Sequence, residues 1–299
     1  MLDPVSLFEF DPHIDQRTVR AHTLVVTLGS RDPGHVQQIL DAHLLNTLTN
    51  HRLGGVDVDQ VVDYGSLRPM IAFERDHFHG YRPPAIDLHR VTDESGREFL
   101  LFHGPEPTLQ WERMVGTVEH LIDQFDVTET VIVQGVPTPS PHTRPMHVSR
   151  YAGGPGIVPA EDSVPAVFEM SSTFTSLLAL RLGERGHDVT GLVAHVPHYL
   201  AGGEVPEAAV RLMERLAGHT DLALPSGELP MLADDFRTRV DAEVAESPEA
   251  QQMITQLEEQ YDRFMRQRVL TETTEVPTAD EIGAQVEDFL RGLDDDTPA

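Results

Sequence analysis

Cysteine is absent from the 299-residue sequence, and so is lysine: all 22 cationic side chains are arginine. Without thiols there is no cysteine nucleophile, no disulfide and no zinc–thiolate site, and an unstapled chain of this length fits a cytoplasmic setting. Without lysine there is no Schiff base, no P-loop lysine and no lysine general base, which excludes pyridoxal chemistry and Walker-type nucleotide hydrolysis. No cofactor is expected. Positive charge is scarce altogether, with 49 acids giving a formal net charge of −27. A grip on nucleic-acid phosphates needs a basic patch, so no nucleic acid is expected, and the acidity reads as a solubilising surface. No apolar run approaches the ~20 residues of a membrane span. The segment MLDPVSLFEFDPHID carries acids where a signal peptide carries basic residues, so a soluble cytoplasmic protein is expected.

What is present suffices for a full core: 39% of the residues are hydrophobic, enough for one large domain with an appendage. Two stretches stand out, Thr130 to Arg150 and Gly191 to Leu200. In each, a short β-branched run passes directly into His, Pro and polar residues. Buried parallel strands delivering loops to the carboxyl edge of a sheet have this form, so both loops are expected at one place.

The chain order supports an α/β reading. Thr23 to Leu28 predicts a strand, the Gly29 to Gly34 turn follows, and Val36, Ile39, Leu40, Leu44, Leu45 and Leu48 predict a helix from about His35 to Asn50. Short extended runs follow at Val56 to Tyr64, Met70 to Glu74, Ala85 to Val91 and Glu98 to His103, the last two joined by a hairpin turn at Asp93 to Gly96. A helix capped by Thr108 is expected to run to about Phe125, then a strand from Thr130 to Gly135. Beyond a Gly/Pro-rich passage, Tyr151 to Pro165, the pattern predicts a strand at Ala166 to Phe168 and a helix from Thr173 to about Gly186. Another strand follows from Val189, then a helix from Pro206 to Gly218. Leu229 to Glu246 and Pro248 to about Leu270 read as an amphipathic helical hairpin. The expected domains are an α/β core over 1–220, a helical subdomain over 221–270, and an acidic, partly disordered tail over 271–299.

The candidate ligand-binding residues sit in the predicted turns: Gly29, Asp32 and Gly34, then Glu106, His142, Arg144, Glu169, His195, His198 and Tyr199. Backbone N–H groups at the turn opening the first helix can hold an anion. Arg144 can grip a carboxylate or phosphate bidentately, or pair with Glu106 or Glu169. His195 and His198 lie three apart, but Pro197 between them breaks the helical face that would make the spacing a ligand pair. With His142 or His147 they could still form a three-His site. Shaping the loops through backbone hydrogen bonds is their expected role, and no metal is assigned. Trp111, Tyr199 and Tyr261 read as core or interface aromatics.

Several motifs occur in order: Arg68-Pro-Met70, Gly104-Pro-Glu-Pro107 with Trp111, Pro141-His-Thr-Arg-Pro145, His195-Val-Pro-His-Tyr199, and Leu257-Glu with Tyr261-Asp262. Over residues 20–265 the chain resembles the actinobacterial branch of the proteasome assembly chaperone 2 family. The resemblance implies a three-layer α/β/α core with a mixed sheet, similar to the nucleoside phosphorylase/hydrolase fold. It also implies a C-terminal helical addition, a homo-oligomer (a trimer being the family-level expectation) and a protein-binding or assembly-chaperone role. Archaeal and eukaryotic members dock on proteasome α-rings through a hydrophobic-Tyr-any tail, whereas this chain ends Asp296-Thr-Pro-Ala299.

The same fold likeness raises an enzymatic alternative, N-glycosidic cleavage of a nucleoside or another small anionic ligand. Nucleoside-cleaving relatives hold ribose with a Glu-Met-Glu run; here it reads Glu169-Met170-Ser171, and a His-bearing loop replaces the Asp that protonates the leaving base. The paired carboxylates are lost, so binding is expected ahead of catalysis.

Overall fold

The computed structural model describes residues 2–273 except 30, 31, 157, 160, 161, 163, 165 and 166, with side chains as far as 266. In chain order the strands are β1 (Phe8–Phe10), β2 (Thr23–Gly29), β3 (Thr49–Val56), β4 (Ala72–Glu74), β5 (His77–His79), β6 (Asp87–Thr92), β7 (Glu98–Pro105), β8 (Glu129–Thr138), β9 (Val148–Ala152) and β10 (Val189–Pro197). The helices are α1 (Val36–Thr47), α2 (Trp111–Gln124), α3 (Phe174–Glu184), α4 (Pro206–Thr220), α5 (Leu229–Ala245) and α6 (Pro248–Thr273). The chain forms two compact units, 1–258 and 259–299. Of the second, residues 259–273 lie within α6, and the rest of the expected acidic tail falls outside the described residues.

Eight strands form one mixed sheet in the order β1-β3-β6-β7-β2-β8-β10-β9, and β4 and β5 pair separately. Strands β7, β2, β8 and β10 run parallel, while the β1–β3, β3–β6 and β6–β7 pairings on one side and the β10–β9 pairing on the other are antiparallel. Alternation along the strands splits the core into two layers. Leu24, Val26, Leu28, Leu100, Phe102 and Ile132 pack with Met114 and Leu121 of α2 and Phe174 and Leu178 of α3. Val25, Leu101, Val131, Val133, Leu192 and Ala194 pack with Leu40 and Leu44 of α1 and Leu212 and Leu216 of α4. This is the expected three-layer α/β/α arrangement, followed by the two C-terminal helices.

Departures from the expected elements have local causes. The extended run read at Val56 to Tyr64 lies seven residues early, as β3. Its Gly54-Gly55 pair looks like a turn signal, but serves close approach, since a Cβ at Gly54 would run into the backbone of Glu9 in β1. Leu48 continues the helical spacing of Val36, Leu40 and Leu44, yet its backbone is extended and α1 stops at Thr47. Thr108 does not cap α2; its hydroxyl accepts from the Asp63 N–H at 2.6 Å, and α2 starts after Gln110. The passage from Tyr151 begins inside an edge strand, β9, and Val167 and Phe168 carry no strand.

Gly34 joins two turns at the carboxyl rim. Its N–H donates to the Ala201 carbonyl at 2.9 Å, and its carbonyl accepts from the Val205 N–H at 2.8 Å. Its φ of 75° suits glycine, and a Cβ there would stand 3.0 Å from that of Val205. Gly34→Ala is therefore expected to cost about 1–3 kcal/mol, seen as a lower urea midpoint with an unchanged slope.

Candidate functional site

Parallel pairing of β8 with β10 sets Val136 beside His195 and Thr138 beside Pro197, so the loops that follow leave the sheet together. They are bonded to each other at once. The His198 N–H donates to the Thr138 carbonyl at 2.9 Å, and Ser140 Oγ reaches the His195 carbonyl at 3.4 Å. His198 Nδ1 stands 3.3 Å from the same Thr138 oxygen. His195 turns toward β9: its N–H donates to the His147 carbonyl at 3.0 Å and its Nε2 lies 2.9 Å from Ser149 Oγ. The His147 and His195 rings are 5.0 Å apart.

His142, 6% exposed, is the centre of the first loop. The Tyr199 hydroxyl accepts from its backbone N–H at 2.7 Å and lies 2.7 Å from its Nδ1; its Nε2 lies 3.0 Å from Asp241 of α5. With Asp241 ionised, one proton assignment satisfies every group. The hydroxyl donates to Nδ1, and Nε2 carries the hydrogen that Asp241 accepts. Next to it, Thr143 Oγ1 donates to Glu258 Oε1 at 2.5 Å and Arg144 Nη1 stands 3.1 Å from the same oxygen. The ion pair considered for Arg144 is thus made with Glu258 of α6, rather than with Glu106 or Glu169. α5 and the first turns of α6 close over the histidine loops through three side-chain anchors. Burial, with Asp241 and Glu258 nearby, pushes the Tyr199 phenol up to about 12.

The other candidates lie further along the rim. Asp32 accepts from the N–H groups of Gln37 and Gln38, both at 2.9 Å. The anion seat at the start of α1 is therefore filled by the chain's own carboxylate, whose pKa burial raises. Glu106 does the same for α3, accepting from the Phe174 N–H at 2.6 Å. Glu169 and Ser171 are exposed in the irregular segment before α3.

Gly29 and Asp32 instead line a cleft of about 740 Å³ at the ends of β2 and β7, with Asp41, His103, Arg68 and Arg82 among its walls. None of His142, His195 and His198 lines it. Asp41 and His103 escaped the sequence reading, although a signal was there. Along β2 the layer shared with α1 runs from Val25 to Thr27, and along β7 from Leu101 to His103, so the apolar alternation turns polar at the rim. The Thr27 hydroxyl donates to Asp41 at 2.6 Å, while burial holds that carboxyl well above the ordinary range. Burial first, then the neighbouring His89, lowers His103 to about 4.

The PAC2 family model matches residues 26–244. A Mycobacterium tuberculosis protein of unknown function is 32% identical, with 89% of this chain and 92% of that chain covered and a TM-score of 0.82. A Corynebacterium glutamicum protein of unknown function is 28% identical, covering 87% and 98%, with a TM-score of 0.78. A second M. tuberculosis structure, described as a proteasome-assembly chaperone homologue, is 22% identical, covering 78% and 99%, with a TM-score of 0.70. No curated protein matches the chain.

Replacing Tyr199 with Phe strips the His142 N–H and Nδ1 of their partner, and about 1–3 kcal/mol of stability should be lost in urea unfolding. The sign with pH follows from the raised phenol. Because its pKa goes from 10.0 to about 12 on folding, its contribution is full below 10 and vanishes as pH climbs through 12. The gap between wild type and Tyr199→Phe should therefore narrow across that window.

Proposed function

Because the chain belongs to the PAC2 family, we propose that it is a protein-binding, assembly-chaperone-like protein that acts as a cytoplasmic homo-oligomer, with no catalysis of its own. The carrying observation is the β4–β5 hairpin. Strands of three residues paired only with each other are marginal in water. Yet this pair presents Phe73 and Phe78, 60% and 67% exposed and in edge contact at 5.0 Å, beside Met70 at 72%. Apolar side chains concentrated on so short a hairpin favour cover by another protein surface, and we assign that cover to a second copy of the chain. The described M. tuberculosis chaperone homologue supports the assembly reading, with α-type proteasome subunits as the client class to test. We also treat residues 221–270 as a helical addition to a phosphorylase/hydrolase-like core, with the acidic tail beyond it.

The enzymatic alternative finds less support. The histidine loops are occupied by α5 and α6 contacts, and Glu169, the remaining ribose carboxylate, stands exposed. A small anionic ligand would instead find Arg68 and Arg82 in the lining of the cleft.

Light scattering on the full chain should give a homo-oligomer, and Phe73→Asp with Phe78→Asp should dissociate it into folded monomers; an unchanged mass would refute the hairpin contact. Incubation with a nucleoside panel should release no free base, and release abolished by Glu169→Gln would instead support the enzyme. Specific association with α-type proteasome subunits, lost in the same Phe variant, is the expected outcome for the assembly role.

A further inference from the structure

A polar cluster lies one strand beyond the cleft wall, where neither the loops nor the hairpin use it. Asp87 and His89 are two residues apart on β6 and so share a face, and the antiparallel register places Asp87 directly opposite His103 on β7. One potential ligand atom from each lies within 4.8 Å of the others.

The surroundings prepare each group for a cation. Asn50 donates its amide hydrogens to the Leu45 and Leu48 carbonyls, at 2.8 and 3.0 Å, which turns its oxygen toward His89 Nδ1 at 3.2 Å. Nδ1 of His89 therefore carries the hydrogen, and the Nε2 lone pair is free to coordinate, the usual support for a metal-binding imidazole. His103 Nε2 is buried without a hydrogen-bond partner. Asp87 accepts from Arg52 through Oδ1 at 2.9 Å, which fixes the carboxylate and leaves its second oxygen for another partner. Arg52 accounts for the carboxylate alone; it explains neither the His89 tautomer nor the orphaned His103 nitrogen.

We propose that Asp87, His89 and His103 form a binding site for a divalent first-row transition ion beside the cleft. Two nitrogens and one carboxylate oxygen, in a chain without cysteine, suit zinc, iron(II) or manganese. Bonds of about 2.1 Å allow ligand atoms up to roughly 4.2 Å apart, so a small rotation of one imidazole completes the site. His103 also lines the cleft, which gives the ion an entry path and leaves coordination positions toward whatever occupies that space.

The full chain, stripped with chelator, would be titrated with Zn²⁺ by calorimetry and with Co²⁺ by visible ligand-field absorption. One ion per chain is expected, with affinity reduced about tenfold or more in both His103→Ala and Asp87→Asn. His77→Ala combined with His79→Ala, on the exposed hairpin, should leave uptake unchanged. His89→Gln carries the test if His103→Ala fails to fold. No uptake by the wild type, or equal uptake by the cluster variants, overturns the site.

Discussion

The register between β8 and β10 is the constraint from which the rim follows. Nine consecutive residue pairs, Thr130 with Val189 through Thr138 with Pro197, fix where two separate loops leave the sheet. Once His142 and Tyr199 are neighbours, a single hydroxyl proton orders the chain of bonds from the Tyr199 ring through His142 to Asp241. Each member satisfies a group that would otherwise be buried unpaired, at a cost comparable to a lost hydrogen bond. The C-terminal helices are held by this chain and by Glu258. They supply the carboxylates that His142, Thr143 and Arg144 meet.

The rim therefore has two characters. Over β8 and β10 it is closed by side chains from α5 and α6. Over β2 and β7 it opens into a cleft whose lining includes the carboxylates Asp32 and Asp41 and the arginines Arg68 and Arg82. At two helix starts, those of α1 and α3, backbone N–H groups are met by Asp32 and Glu106 from within the chain. A protein this acidic thereby uses some of its carboxylates as internal anions, and Arg68 and Arg82 remain as cations facing the cleft.

Much of this was legible in the sequence. The parallel strands, the helix starting at Thr173 and the convergence of the two His-bearing loops follow from apolar runs ended by polar residues, a local signal. What could not be read depends on distant partners. Nothing near Arg144 indicates that its carboxylate is Glu258, 114 residues away. β3 was obscured because Gly54 and Gly55 look like a turn unless β1 is known to lie against them. β9 was obscured because an edge strand of five residues, entering a Gly/Pro-rich passage, carries too little alternation to register.

Hydrogen–deuterium exchange on the full chain tests the joined loops most directly, because backbone amides report each loop separately. The amides of His142, bonded to the Tyr199 hydroxyl, and of His195 and His198, bonded to the His147 and Thr138 carbonyls, should exchange slowly, while the exposed cleft segment around Arg68 exchanges fast. Equally fast exchange in both regions would contradict the claim that the two histidine loops are bonded to each other at the rim.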